Sequence, residues 1–307
     1  VEPEHLPLPH LETFAKAAEL GNFTRAARVL GLSQAAVSQR VQALEASLGT
    51  PLFRRHGGRV TLTDAGRTLH GYAQRVFDLL REARRAVTGQ DAPVVGELTL
   101  ASSSIPGEHF LPAVLAAFGP GHPHVQVRVT IGDSLAAIDQ VERGRADLGL
   151  VGRKVEKPHL EYHLLARDRM VLVAPPGHPL AGGKSPTLAQ LARHPLVIRE
   201  AGSGVRHGFE AALERAGRSL ADFRVALELG SNEAIKEAVV RGLGVAVLSS
   251  RAVEKEAAAG QLVARPIADL GADRELFLVQ DRRRVLTLPA RVFLNFLETS
   301  PLCAGGW

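Results

Sequence analysis

Residues 23–50 read FTRAARVLGLSQAAVSQRVQALEASLGT, and this stretch decides the fold of the N-terminal part. It holds two short helical segments parted by a tight break, Leu30-Gly31-Leu32-Ser33. In the first segment Thr24 stands where a capping hydroxyl is expected, and Ala26, Ala27 and Leu30 turn inward. In the second, Ser33 is placed as the cap, and Val37, Val41, Leu44 and Leu48 form the buried stripe. That leaves Gln34, Ala35, Ser38, Gln39 and Arg40 near the start of the second helix, where a recognition helix meets DNA. The pattern predicts a helix-turn-helix. Gln34 and Ser38 lie one helical turn apart, so both can face a groove. Glutamine reads adenine edges with two hydrogen bonds, and serine reads either kind of base. The plainer alternative is a solvated helix face.

The flanking sequence extends the motif. Leu11, Phe14, Ala15 and Ala18 share one face of a helix that Gly21-Asn22 stops. PLFRRHGGRVTLT, residues 51–63, reads as a short hairpin turning at His56-Gly57-Gly58. This would be the wing of a winged helix-turn-helix. Its arginines Arg54, Arg55 and Arg59 are expected to meet phosphates, contacts that position a protein without reading sequence. From residue 63 to 88 one long helix is predicted. Ala65, Leu69, Tyr72, Val76, Leu79, Ala83 and Ala86 recur at spacings of four and three, a heptad seam that needs a partner helix. Homodimerisation through this linker is the expectation. Residues 89–93, Gly-Gln-Asp-Ala-Pro, read as a hinge.

Charge supports the division. The 307 residues carry a formal net charge of +5. Residues 1–90 hold 12 Lys and Arg against 8 Asp and Glu, a net of +4, and the other 217 hold 25 against 24, a net of +1. The excess sits in the small N-terminal part, which implies a polyanionic partner there. No apolar run approaches a membrane span, and the opening VEPEHLPLPH is not a secretory signal, so no membrane partner is expected. The only cysteine, Cys303, excludes an intrachain disulfide and fits a reducing cytoplasm.

Beyond residue 93 strands and helices alternate. ELTLAS, HVQVRVTIG and ADLGLVG read as strands, with helices over 107–118 and 134–143 between them. MVLVAPP opens a second set: a helix near 188–192, LVIRE, a helix from Ser203, VALELG, a helix from Asn232, and GVAVLSS. RELFLVQ and a helix over 288–297 are expected to return to the first set. The fold class is therefore α/β: a winged helix-turn-helix over 1–62, a linker helix and hinge over 63–92, and a two-lobed doubly wound domain over 93–307. Lobe one is expected at about 94–166 with 268–300, and lobe two at about 167–267.

Three helix starts follow strands and should converge on one crevice. They are Ser102-Ser103-Ser104, Gly132-Asp133-Ser134 and Glu200-Ala201-Gly202-Ser203-Gly204. Free N–H groups and hydroxyls at helix starts bind anions. Plain N-capping is the competing reading for each serine. Asp133 is an awkward neighbour for an anion.

LETFAKAAELGNFTRAARVLGLSQAAVSQRVQALEASLGTPLFRR followed by VTLTDAGRTL closely resembles the N-terminal domain of LysR-type transcriptional regulators. VERGRADLGLVG is similar to a motif of the same family. REAGSGVR and GSNEAIKEAVVRGLGVAVLS resemble the branch that includes regulators of sulfur assimilation and carbon fixation. The resemblance implies promoter DNA as one partner, a small metabolite held between the lobes as another, and an oligomer, usually a tetramer. It makes Ser102, Ser103, Ser104, Ser134, Gly202, Ser203, Arg206 and Asn232 the candidate effector contacts. Many relatives have proline at the position of Ala35 and Arg-Gln at Gln39-Arg40, so the base sequence read does not carry over. No cofactor or metal is expected, because no Gly-rich nucleotide loop, metal set or nucleophile–base pair stands out. Two other classes compete: an α/β enzyme using the N-terminal helices to dimerise, and a transport-type solute-binding protein. Neither needs a basic head with Gln34 and Ser38 on an outer helix face.

Overall fold

The computed structural model describes residues 6–56, 59–88, 93–271 and 273–300. The hairpin turn at Gly57-Gly58, most of the hinge (89–92) and Cys303 lie outside the described residues. The chain divides into two compact units. One is residues 1–92 with Val285–Leu288, and the other is the remainder.

The first unit begins with α1 (Leu8–Leu20), α2 (Phe23–Leu30) and α3 (Gln34–Leu48). Between α2 and α3 the chain turns at Gly31, whose φ of 66° lies in the left-handed region that glycine tolerates. Phe14, Ala26, Val37, Val41 and Leu44 are buried together, and the Phe14 and Phe23 rings both meet Phe53, at 5.4 and 5.2 Å. Phe53 comes from the hairpin β1 (Phe53–His56) and β2 (Arg59–Leu62). Glu45 on α3 ties the hairpin down by accepting from the Leu52 and Phe53 N–H groups, at 2.7 and 3.2 Å. The linker α4 (Asp64–Thr88) follows. Its expected single seam divides. Ala65 and Leu69, with Ala73 and Phe77, pack on the core of the head. Tyr72, Val76, Leu79, Leu80 and Ala83 are exposed, and the side chain of Ala86 is outside the described set.

The second unit opens with β3 (Gly96–Ser103), then a π-helical turn at Pro106–Phe110 leading into α5 (Leu111–Phe118). It continues through β4 (Val125–Gly132), α6 (Ser134–Glu142) and β5 (Leu148–Val151). Next comes β6 (Leu160–Ala174), 15 residues long, where MVLVAPP had marked only its last third. The chain then runs α7 (Leu188–Leu191), β7 (Leu196–Arg199), α8 (Gly204–Arg215), β8 (Val225–Leu229), α9 (Asn232–Val240) and β9 (Val245–Ser249). The helix α10 (Ser250–Ala258) and the strand β10 (Val263–Arg265) are additions to the sequence reading. The return elements are β11 (Asp273–Asp281) and α11 (Leu288–Thr299).

The strand order is β4-β3-β5-β11-β6-β9-β7-β8, with β10 also on β6. β6 pairs antiparallel with β11 up to Arg169, then with β9 from Met170 onward. One strand therefore belongs to both lobes, and its change of partner is the crossing. There Asp168 is fully enclosed. It accepts from Ser249 Oγ at 2.7 Å and from Arg274 Nε at 2.8 Å, and its side chain is 0% exposed. Burial pulls the Arg274 pKa down, and the charge of Asp168 pulls it up. Removing one partner of a buried pair strands the other charge. Asp168→Asn should therefore cost about 3–5 kcal/mol of unfolding free energy, and Ser249→Ala about 1 kcal/mol. Denaturant titration checks both, and equal losses would show that the charge of Asp168 is not what matters.

Candidate DNA interface and effector cleft

The outer face of the helix-turn-helix is built from the start of α3. Ser33 caps it, its Oγ accepting from the Ala36 N–H at 3.1 Å. Gln34, Ala35 and Gln39 are exposed and Ser38 is half-buried, above the buried anchors Val37 and Val41. Arg40 is half-buried and turned toward α1, where its Nη1 donates to Thr13 Oγ1 at 3.2 Å. Arg54 on β1 is exposed, while the side chains of Arg55 and Arg59 are outside the described set. Thr24 is not a cap. Asn22 holds that place, accepting from the Arg25 N–H at 3.0 Å, and Thr24 is an exposed residue inside α2. The earlier residue wins because Phe23 is already helical and buried. The sequence signal was present: Asn22 was read as the stop of α1, and it also starts α2.

The predicted helix starts in the second unit are placed unequally. Ser102 is buried in β3, its Oγ donating to carbonyls of Ser103 and Leu150 at 2.9 and 3.3 Å, and Ser103 Oγ reaches the Leu150 carbonyl at 3.5 Å. Both fasten β3 to β5. Asp133, not Ser134, caps α6, accepting from the Ala136 N–H at 2.7 Å. Ser134 is fully buried and accepts from the Gly152 N–H at 3.2 Å. Ser203 caps α8, accepting from the Val205 and Arg206 N–H groups. The start of α8 presses directly on lobe one. A Cβ on Gly204 would come within 2.8 Å of Ser134 Oγ and 2.9 Å of the Gly152 carbonyl carbon, and one on Gly202 would strike the Asp133 carboxylate. Only about 10 Å³ remains open there.

The usable space lies to one side, between the end of β3, the β4–α6 corner and the start of α9. This cavity of about 390 Å³ is lined by Ser104, Asp133, Arg199, Glu200 and Asn232, with Glu108 and Glu233 at its edge. Arg199 is the residue that the serine-centred reading missed. It ends β7, is 4% exposed, and forks onto Glu200 through Nε and Nη2, both at 2.8 Å. Its Nη1 donates to Asn232 Oδ1 at 2.5 Å and Ser104 Oγ at 3.3 Å. The signal was the strand LVIR itself, three buried apolar residues followed by a buried cation. Arg206 stands apart from the cavity lining. It is bound to Glu210 and Glu228, each at 2.8 Å, and the Glu210 hydrogen bond leads in holding its pKa above the usual guanidinium value. Two carboxylates on its own lobe thus claim it. Among the described residues no cluster of three or more His, Cys, Asp or Glu could hold a metal. None of their helices is long and apolar enough to cross a membrane.

Residues 8–67 match the model of the bacterial regulatory helix-turn-helix protein, lysR family, and residues 91–301 match the LysR substrate binding domain. The chain belongs to the LysR family of transcriptional regulators. The regulator CbbR of Xanthobacter flavus is 34% identical over 96% of this chain and 88% of its own length. The RuBisCO operon transcriptional regulator of Allochromatium vinosum is 32% identical over 95% of this chain and 96% of its own length. The regulator CysL of Bacillus subtilis is 31% identical over 94% and 96%. These relatives fall in the branch that the effector-domain motifs resembled, and they are regulators rather than enzymes. Among solved structures, full-length OxyR from Pseudomonas aeruginosa shares the fold with a TM-score of 0.70 at 21% identity, covering 97% of each chain. The Synechocystis CcmR regulatory domain, solved in complex with 2-PG, matches 66% of this chain and 95% of its own at a TM-score of 0.60 and 29% identity.

Cap assignment at the helix-turn-helix is directly measurable. Asn22→Ala should destabilise the head by about 1 kcal/mol, whereas exposed Thr24→Ala should stay within about 0.5 kcal/mol of wild type. Thermal melts of both variants decide it, and the reverse ranking would return the cap to Thr24.

Proposed function

We propose that this LysR regulator reads its promoter with the start of α3 and pairs through the free face of α4. We further propose that it answers a small metabolite held in the cavity beside Arg199. The observation that carries the DNA reading is the exposure of Gln34, Ala35 and Gln39, with Ser38 beside them, over a rigid buried anchor. Gln34 and Ser38 supply base contacts. Thr24, Ser33 and Arg54 lie on the outer surface for the backbone, with Arg55 and Arg59 contributing the same chemistry from the wing. The protein acts where its DNA is, in the cytoplasm.

Assembly rests on α4. Tyr72, Val76 and Leu79 are 47%, 36% and 54% exposed, on a helix whose other apolar face is already used by the head. A twofold pairing of these faces places two heads on a twofold-related site. Exposed apolar residues on the second unit, Ile131, Val225 and Leu243, supply further contact area for a homotetramer.

The cavity favours a particular effector chemistry. Its one buried cation, Arg199, is forked onto Glu200, and Asp133, Glu108 and Glu233 stand around it. A ligand with one carboxylate or phosphate takes the place of Glu200 on Arg199, and its hydroxyl or amino groups face the remaining carboxylates. Ser104 and Asn232 hold the guanidinium in place for this exchange. The ligand shifts DNA binding by preferring one arrangement of the lobes over another, a coupling on the order of 1–3 kcal/mol.

Three outcomes are expected. Gln34→Ala should weaken binding to the specific promoter site more than to random duplex. Arg54→Ala should weaken both alike and flatten the salt slope. A Gln34→Ala effect equal on both duplexes in gel-shift titrations would remove base readout from that residue. Val76→Glu with Leu79→Glu should convert the sedimenting species to a smaller one and sharply lower DNA affinity, and an unchanged species would remove α4 from assembly. In a thermal-shift screen of hydroxylated carboxylates and phosphates, a hit should raise the wild-type Tm. It should lose that effect in Ser104→Ala and keep it in Arg206→Ala, and the opposite ranking would move the effector out of this cavity.

A further inference from the structure

A second and larger pocket lies around the crossing strands, separate in its lining residues from the cavity beside Arg199. Its volume is about 710 Å³, within the roughly 300–1,000 Å³ usual for small-molecule sites. Small residues leave that space open: Gly152 after β5, Gly208 and Ala211 on α8, and Gly271 before β11. The first two are constrained by Arg274. A Cβ on Gly152 would lie 2.8 Å from Arg274 Nη1, and one on Gly208 would lie 3.0 Å from its Cδ.

The charge around this pocket is one-sided. Arg153, Lys154, Arg167 and Arg215 line it. Among the described residues Arg153 donates only to the Ala201 carbonyl, at 3.4 Å, and its Nε is buried without a hydrogen-bond partner. Arg215 donates to the Gly271 carbonyl at 3.2 Å. Lys154 lies 4.0 Å over the Phe277 ring, and Arg167 is exposed on β6. None of these four pairs with a carboxylate among the described residues. Of the two lining acids, Asp273 is paired with Arg169 at 3.0 Å, and the lining Arg274 is matched by Asp168. Glu275, opposite Arg167 in the β6–β11 register, is the one carboxylate left. His207 adds a ring on α8, and burial, then the neighbouring Arg153, holds its pKa below the usual imidazole value.

We propose that this pocket is a second ligand site, for a small polyanion carrying at least two phosphate or carboxylate groups. Four cations share this pocket with one carboxylate that has no other partner among the described residues, and a single monoanion leaves most of their mutual repulsion in place. Guanidinium groups from several elements suit forked contacts to separate anionic groups of one ligand. The contacts also come from both lobes. Arg153 and Lys154 follow β5, Arg167 precedes the change of partner in β6, and Arg215 ends α8. A ligand that holds all of them favours the arrangement in which they converge, so it biases the lobes independently of the cavity beside Arg199.

The test is calorimetry on the full-length protein at low ionic strength, with inorganic pyrophosphate and with citrate as separate probes. The expected result is saturable binding of at least one probe, one site per chain. Arg167→Ala with Arg215→Ala removes two exposed side chains and should weaken it roughly tenfold or more. Ser104→Ala in the other cavity, and Arg128→Ala on the far strand β4, should leave it unchanged. Preference for pyrophosphate identifies a polyphosphate site, and preference for citrate a polycarboxylate site. The proposal is overturned if neither probe binds, if the double variant binds as wild type, or if Arg128→Ala weakens binding as much. Loss in Ser104→Ala alone would also overturn it, by placing the probe beside Arg199.

Discussion

The buried contact among Asp168, Arg274 and Ser249 is the constraint on which the effector domain depends. It sits where β6 leaves β11 and takes up β9, so it joins three strands at the point where one sheet becomes the next. Apolar packing would fill that volume as well, but it would not say which strand must stand beside which. A charge enclosed with a single complementary charge and one hydroxyl tolerates few other registers. The glycines at 152 and 208 follow from the same requirement, since the Arg274 side chain occupies the space where their side chains would be. Arg274 itself lines the larger pocket with Arg153 and Arg167, and Arg199 at the end of β7 is near enough to act on its charge.

Much of this arrangement was legible in the residues. The stripe Val37, Val41, Leu44 placed the recognition helix, and the alternation beyond residue 93 placed the strands and the return of β11 to lobe one. What escaped was set by tertiary contact. Residues 160–166, LEYHLLA, mix polar and apolar side chains because this part of β6 is partly covered, and only the fully apolar MVLVA end announced itself. The caps at Asn22 and Asp133 were displaced from Thr24 and Ser134 by one rule. The residue just outside the first buried helical position caps, and a hydroxyl inside it does not. Ser134 then spends its oxygen on the Gly152 N–H, a contact between segments 18 residues apart that no local pattern reveals.

The linker shows how one pattern serves two partners. A heptad seam reads the same whether its partner is another helix or the domain it grows from. In α4 it serves the head at Ala65 and Leu69 and is left open at Val76 and Leu79. The head contact fixes the direction of α4 relative to α1, because Ala73 and Phe77 join Phe14 and the His70 ring packs edge-on against it at 6.4 Å. In the proposed dimer, a pairing made at the open end would reach α3 through packed side chains and not through a loose joint.

The two cavities differ in the sign of their charge, and that difference bears on how the domain discriminates ligands. Beside Arg199 the cation is already matched by Glu200, and Asp133, Glu108 and Glu233 share the lining, so the proposed anionic effector would have to replace an existing partner and offer donors to the acids. On the proposed reading, a ligand lacking hydroxyl or amino groups would be disfavoured, because it would set its anion against half-exposed and exposed carboxylates without donors between them. Around Arg153 and Arg167 the cations have no carboxylate partner among the described residues, so the proposed polyanion would displace no ion pair. On the proposed reading, the first cavity would select among ligands of similar charge, and the second would respond to the amount of charge a ligand brings. Each cavity draws its lining from both lobes, so ligands in either, as proposed, would bias the same element, the change of partner of β6 from β11 to β9.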